Sequence, residues 1–286
     1  MAKILITGAT GFIGSHLLKV LQKEHQVFGL VRSISLKNAH PRVRWIEQDL
    51  ASPLEYSRLP THVDAIIHLA QSKFYKQFPE SAKDIFDINI QSTFQLLELA
   101  RQVGVRCFIF ASSGGMYGYS YEKFVETDPV NPLNFYLSSK HTAELLIANY
   151  RQFFHTIVFR FFFVYGPGQK GMLIPTLLSK VSNGQTIIIE GNPGLTINPI
   201  YIEDAIRVFE PALNLNKSEL FNVAGDESVT ITDLVDLIGK VLGQKPTLKH
   251  TDKDPKGDLI GDNKRMKEIL KIYPKVSLLE GLSKMG

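Results

Sequence analysis

The sequence predicts an α/β protein, a doubly wound parallel sheet followed by a smaller, interrupted C-terminal lobe. Three observations predict it. Short runs rich in Val, Ile and Phe alternate with amphipathic stretches through residues 1–165, as parallel strands joined by crossover helices do. A glycine-bearing turn separates the first such run from the first helical stretch. Beyond Tyr165 the texture changes, from Gly166-Pro167-Gly168 onward, to shorter elements with more frequent Gly and Pro.

Taken in order, strands are predicted at Lys3 to Thr7, Gln26 to Val31, Val43 to Glu47, Ala65 to Leu69, Arg106 to Ser112 and His155 to Phe163. Helices are predicted near Ile13 to Gln22, Asp84 to Gln102 and Phe135 to Phe153, with Asn131-Pro132 turning the chain into the last. The expected division is one domain over 1–165, to which 198–225 return, and a substrate lobe made of 166–197 and 226–286. No repeat, low-complexity tract or flexible linker separates them.

With 286 residues, 44% hydrophobic and 21% charged, the chain can bury a full core and a second lobe. Its formal charge of +4 comes from scattered Lys and Arg, not from a basic block, so nucleic acid is not the expected partner. A single cysteine, Cys107, excludes an internal disulfide framework. The first residues already read as a strand, and no uninterrupted apolar run is long enough for a bilayer. A cytoplasmic protein with no membrane contact is the expectation. No zinc spacing, nucleophilic triad or Walker-type loop is present, and no metal is expected.

The first strand runs into Thr7-Gly8-Ala9-Thr10-Gly11-Phe12-Ile13-Gly14 and then a helical pattern. Gly8 permits the tight strand-to-helix turn, Gly11 lets the backbone approach a pyrophosphate, and Gly14 lets the helix pack close to the sheet. The spacing is Gly-x-x-Gly-x-x-Gly, not Gly-x-Gly-x-x-Gly, but the position between an N-terminal strand and a helix is the context that dinucleotide binding requires. Gly8, Thr10, Gly11, Phe12, Ile13 and Gly14 are therefore the candidate cofactor contacts of a Rossmann-type domain. The second strand ends Leu30-Val31-Arg32-Ser33. An acidic residue there would hydrogen-bond a free ribose hydroxyl; Arg32 and Ser33 instead suit a 2′-phosphate, which favours NADP, with NAD as the alternative.

Tyr136 and Lys140 lie four apart on a predicted helix, so both project from one face. A phenol is a poor acid–base catalyst at neutral pH, and a neighbouring ammonium is expected to favour its phenolate. Tyr119 and Lys123 repeat the spacing but follow Gly118 in a stretch without helical period, and are read as a decoy. Ser112-Ser113 closes the fifth strand at the end where open α/β sheets place ligands, and Gly114-Gly115 leaves open backbone beyond it. Ser113, Tyr136 and Lys140 are the candidate catalytic residues.

On these residues the chain resembles the extended short-chain dehydrogenase/reductases, specifically the NAD(P)-dependent nucleotide-sugar epimerase, dehydratase and reductase family. The match runs along essentially the whole length: Thr7 to Gly14, Asp49-Leu50, His68-Leu69-Ala70, Asn89, Ser112 to Gly118, Tyr136 to Lys140 with Glu144, Arg160 to Pro167, and Tyr201 to Asp204. The resemblance implies catalysis by Ser113, Tyr136 and Lys140, the last two also touching cofactor. It implies Asp49 and Leu50 beside the adenine, Leu69 and Ala70 along the ribose or pyrophosphate, and Asn89 in support. Ser112 and Phe163 would contact substrate. A homodimer through the helices at Asp84 to Gln102 and Phe135 to Phe153 is implied in the same way.

Departures from the family pattern narrow the reaction. Dehydratases carry an Asp-Glu pair after the catalytic hydroxyl, where Gly114 and Gly115 stand here. The 3,5-epimerising members use a cysteine in this loop, whereas Cys107 lies in the preceding strand. What remains is hydride transfer at one carbon, as 4-keto reduction or 4-epimerisation of a nucleotide sugar. Phe163 stands where the family has an Asn that contacts the nucleotide, and the Arg expected before Tyr201-Ile202-Glu203-Asp204 is replaced near Ile197-Asn198. Two readings compete with this one: an NADPH-dependent reductase of a non-nucleotide carbonyl compound, and a dinucleotide-sensing regulator without turnover, which would have no need of Ser113, Tyr136 and Lys140 together.

Overall fold

The computed structural model of the protein describes residues 1–34, 42–253 and 257–286. Six strands occupy the predicted places: β1 (Lys3–Thr7), β2 (Gln26–Val31), β3 (Val43–Glu47), β4 (Ala65–His68), β5 (Cys107–Ser113) and β6 (His155–Phe161). A further strand, Glu219–Val223, completes a seven-stranded sheet outside β6, and the remaining order is β6-β5-β4-β1-β2-β3. Pairing is parallel in β3-β2, β2-β1, β1-β4 and β4-β5. The chain turns back on itself between β1 and β4, the switch point where such sheets open a crevice at the strands' carboxyl ends. Gly8 and Leu69 follow directly on those two strands.

Helix α1 (Phe12–Leu21) buries Gly14, Leu17, Leu18 and Leu21, the stripe that a 3.6-residue period lays on one face. The stretch predicted as one helix from Asp84 is three pieces: α2 (Ala82–Phe86), a π turn at Asp87–Gln91, and α3 (Ser92–Val103), stopped by left-handed Gly104. The hydroxyls of Ser92 and Thr93 donate to the carbonyls of Ile88 and Asn89 at 2.6 and 2.7 Å, so side chains bond the carbonyls of the wide turn. Helix α4 (Phe135–Asn149) is shorter than predicted, its last residues forming a 3-10 turn at Tyr150–Gln152. The core of this part joins Leu5, Phe28, Ile66, Phe108 and Phe110 of the strands to Leu96, Leu97, Ala143 and Ile147 of the helices.

Two compact units divide the chain. The first is Met1–Met116, Asn131–Arg160 and Phe209–Phe221; the second is Tyr117–Val130, Phe161–Val208 and Asn222–Gly286. Strand β6 stops short of its predicted end because Phe163 takes a left-handed backbone, φ 43°. The second unit is built of short pairings: Val164–Tyr165 parallel to Ile200–Tyr201, Ile187–Glu190 parallel to Leu248–Thr251, and Thr196–Ile197 antiparallel to Val229–Thr230. Within it α5 (Leu173–Ser182) packs on the helix Ile231–Leu242. Among the described residues no helix is long and apolar enough to cross a membrane.

Candidate active site

The first unit gathers most of the predicted site residues at the carboxyl ends of β1, β4 and β5. At Gly8, φ is +66°, and a Cβ there would stand 2.7 Å from Ala70 N and 2.8 Å from the Leu69 carbonyl carbon. A side chain is excluded, and the turn after β1 is locked against the segment after β4. A Cβ on Gly14 would meet Gly8 O at 2.2 Å, which fixes how closely α1 can follow its turn. The N-terminus of α1 has Gly11 as its cap residue, no capping side chain and no acid in its first turn. Thr10 and Gly11 are exposed there.

Helix α4 begins differently. Asn134, extended at φ −155°, accepts the Leu137 N–H at 2.9 Å through its side chain, so the cap falls three residues beyond the predicted Asn131-Pro132 turn. Along the helix, Lys140 is buried and donates from Nζ to the Ala111 carbonyl at 2.9 Å, pinning α4 to β5. Ser113 ends that strand; its Oγ accepts the Gly115 N–H at 3.2 Å, which leaves its own proton available to an acceptor. A Cβ on Gly115 would lie 3.2 Å from Leu137 Cδ2 and 3.4 Å from Ser113 Oγ, so Ser113 and the first turn of α4 are neighbours. Ser112 points to the other face, its hydroxyl buried without a hydrogen-bond partner among the described residues.

A directed chain of hydrogen bonds joins the carboxyl ends of β1 and β4 to α4. Ala70 N–H donates to Thr7 Oγ1 at 3.2 Å, and Thr93 Oγ1 donates to Asn89 O. His68 lies between the two hydroxyls, Nδ1 2.6 Å from Thr7 Oγ1 and Nε2 3.0 Å from Thr93 Oγ1. Since the Thr93 proton is already committed, His68 donates from Nε2 and accepts at Nδ1 from Thr7. From there the Asn89 side chain accepts from Ser72 N at 2.9 Å and donates to Ser139 Oγ at 2.8 Å, and Ser139 donates to Tyr136 O at 2.6 Å. Burial pulls the His68 imidazole down to about 3, Lys140 adding to the shift, so His68 is a neutral structural link and not a base.

The expected help of Lys140 to Tyr136 is not found. Burial pulls the Lys140 ammonium down to about 7, against the opposing pull of Glu144. The Tyr136 phenol is pushed up from its ordinary value, first by burial and then by Tyr75. Lys140 Nζ sits 6.0 Å from the centre of the Tyr136 ring and spends a hydrogen bond on Ala111, so its charge does not stabilise the phenolate here. The phenol donates instead to Gln71 Oε1 at 2.9 Å. Gln71, Ser72 and Thr93 are not singled out by the sequence. The available signal was position, since Gln71 follows Ala70 past the carboxyl end of β4, where ligands of such sheets bind.

The other predicted residues are placed as follows. Arg32 and Ser33 are exposed past the end of β2, and Arg32 makes no ion pair among the described residues. Beside them Glu47 accepts the Ile34 N–H at 3.2 Å. Asp49 turns its carboxylate onto Ala51 N at 3.0 Å, and Leu50 is buried in the core. In the second unit, Phe163 is half-buried against Tyr117, Phe124, Phe162 and Leu259. Asn198 is consumed by backbone, donating to Gly225 O and Gly261 O and accepting from Gly261 N, and Arg207 is tied to Asp204 at 3.0 Å. No helix spans Tyr119 and Lys123. Cys107 is buried and its thiol is pushed up to about 12 by burial.

Comparison with known proteins shows the family. Residues 4–224 match the model of the NAD dependent epimerase/dehydratase family. A Bacillus subtilis protein described as an uncharacterized UDP-glucose epimerase is 32% identical over 98% of this chain and 96% of its own. A Streptomyces dTDP-4-dehydro-6-deoxy-D-allose reductase is 30% identical, over 95% of this chain and 91% of its own. Among solved structures, the UDP-glucuronic acid 4-epimerase of Bacillus cereus, in complex with UDP-glucuronic acid and NAD, superposes with a TM-score of 0.88. It is 28% identical, over 99% of this chain and 97% of that one.

Proposed function

The chain belongs to the NAD-dependent epimerase/dehydratase family, and on that premise we propose that it catalyses hydride transfer at C4 of a nucleotide-activated sugar, as a 4-keto reductase or a 4-epimerase. The observation that carries the reading is the joining of two structures in one crevice: an uncapped helix N-terminus behind side-chain-free backbone, and Ser113, Tyr136 and Lys140 on β5 and α4. Gly8, Thr10, Gly11, Phe12, Ile13 and Gly14 fit a pyrophosphate, because Gly8 and Gly14 admit no Cβ and the first N–H groups of α1 have no capping side chain. Leu69 and Ala70 would line the same cofactor, with Asp49 and Leu50 toward the adenine. A nicotinamide dinucleotide held there supplies the hydride donor or acceptor.

The chain's own residues handle the proton. Tyr136 keeps its phenol proton at neutral pH, as a donor to a developing alkoxide must. Ser113 offers a hydroxyl donor that polarises the same oxygen. Lys140, held on Ala111 O, is assigned to orienting the cofactor. Gly114 and Gly115 provide neither acid nor base for elimination of water. Ser112 and Phe163 are assigned to the substrate's surroundings, and the second unit to substrate binding.

For the cofactor we propose NADP, because Arg32 and Ser33 are exposed past β2 with no acid at the strand end. NAD is the second reading. Glu47 lies beside Ile34 and would repel a 2′-phosphate. A homodimer is proposed through α2, α3 and α4, which leave Phe86, Phe94 and Leu145 exposed. Phe94→Asp is expected to halve the mass seen by light scattering, and a wild type of monomer mass removes this part. The compartment is proposed to be the cytoplasm. The function is tested by incubating the cofactor-loaded protein with UDP-sugars and dTDP-4-keto sugars and following C4 by proton NMR. Conversion by the wild type and none by Tyr136→Phe supports the reading; no conversion of any nucleotide sugar, with cofactor bound, points to a carbonyl substrate without a nucleotide.

A further inference from the structure

The segment after β4 lies over the first turn of α4 through three contacts. Gln71 accepts the Tyr136 phenol proton at 2.9 Å, the Tyr75 ring lies 5.0 Å from the Tyr136 ring, and Phe78 stacks on Phe135 at 4.8 Å. The two aromatic contacts fix the segment, and with it the place of the Gln71 amide. Gln71 is exposed, so its side chain is not buried for the sake of packing. Among the described residues its side chain bonds only Tyr136, and Lys140 donates to Ala111 O instead of to that phenol.

We infer that Gln71 is a positioning residue for Tyr136, whose amide carbonyl holds the phenol proton in the resting enzyme until the substrate oxygen replaces it as acceptor. The inference rests on the reading of Tyr136 as the proton donor. The O–H bond of Tyr136 then breaks toward the substrate alkoxide, the electron pair staying on the phenol oxygen, and the substrate's C4 hydroxyl is formed. In the reverse direction the phenolate recovers the proton and returns to Gln71. Gln71 thus aims the phenol between turnovers, and it also competes with the ligand for that hydrogen bond.

Competition and aim give separable signs. In the cofactor-loaded protein, Gln71→Leu is expected to bind UDP-glucose about fivefold more tightly than the wild type, the net worth of one hydrogen bond no longer surrendered. Turnover slows because the phenol has lost its guide, so KM and kcat fall together. In a Tyr136→Phe background the same Gln71→Leu change leaves UDP-glucose affinity unaltered. An equal gain in both backgrounds, or no gain in either, overturns the inference. If the wild type itself fails to bind UDP-glucose, the substrate class proposed above is at fault, and Gln71 is decided by NMR of [13Cζ]tyrosine-labelled protein. There Gln71→Leu must move the one signal that Tyr136→Phe deletes, and a stationary signal overturns the inference.

Discussion

Helices α1 and α4 both begin at the crevice, and they begin in opposite ways. Helix α4 closes its own N-terminus with Asn134, which accepts the Leu137 N–H; α1 has Gly11 as its cap residue, with no side chain capping its first N–H groups. The free N–H groups and positive dipole end of α1 are thereby left for an anion from outside, whereas those of α4 serve to hold the turn that carries Tyr136. On the proposed reading, one helix end receives a ligand and the other holds a side chain still.

Changes that attack each end should therefore have different signatures. The largest effect is expected from Tyr136→Phe, which should lower kcat by about 10²–10⁴-fold with a far smaller change in dinucleotide affinity, as steady-state kinetics and calorimetric titration would show. Gly14→Ala forces a Cβ to 2.2 Å from Gly8 O. It should cost about 1–3 kcal/mol of stability in denaturant unfolding and weaken dinucleotide binding as well.

Lys140→Met tests the cost of the buried ammonium. Its value falls from 10.5 to about 7 on burial, so the folded protein resists a proton that the unfolded chain holds. That cost is fully present below about 7 and is relieved as pH rises toward 10.5. The variant, though inactive, should be more stable than the wild type by about 1–2 kcal/mol at pH 6, with the advantage shrinking as pH is raised in thermal unfolding. The smallest effect belongs to the cap: Asn134→Ala should cost about 1 kcal/mol and Asn134→Gly only a few tenths, with kcat reduced and cofactor affinity intact. A loss of cofactor affinity in Asn134→Ala would break the division of labour between the two helices.

Much of this was legible from local signals. Alternation of apolar runs located β1 to β6, and the glycine spacing located the turn before α1, because both follow from backbone constraints that act over a few residues. Tyr136 and Lys140 both lie on α4, as their spacing within a helical stretch predicts, whereas no helix spans the same spacing at Tyr119 and Lys123. The π turn at Asp87–Gln91 was not legible, since a helix and a helix with one wide turn share nearly the same apolar pattern. Nor were the partners of the site residues legible. Gln71 meets Tyr136 across 65 residues, and His68 meets Thr7 across 61, contacts that only the sheet order creates. The electrostatic expectation failed for the same reason: four residues of spacing place Lys140 on the right face, but Ala111 on another element takes its hydrogen bond.

The open end of α1 is proposed to bind a nicotinamide dinucleotide, and a fluorescence titration with NADPH and NADH tests this binding most directly. Trp45, the single tryptophan, packs against Gly29 close to Ala9 of the cofactor turn and should transfer its excitation to a bound reduced nicotinamide. Saturable quenching by NADPH, about tenfold tighter than by NADH and with the preference lost in Arg32→Asp, is the expected result. Retained NAD with no response to Arg32→Asp would move the assignment to NAD and to 4-epimerisation. Protein purified free of nucleotide that shows no saturable quenching by either cofactor would contradict the account at its root.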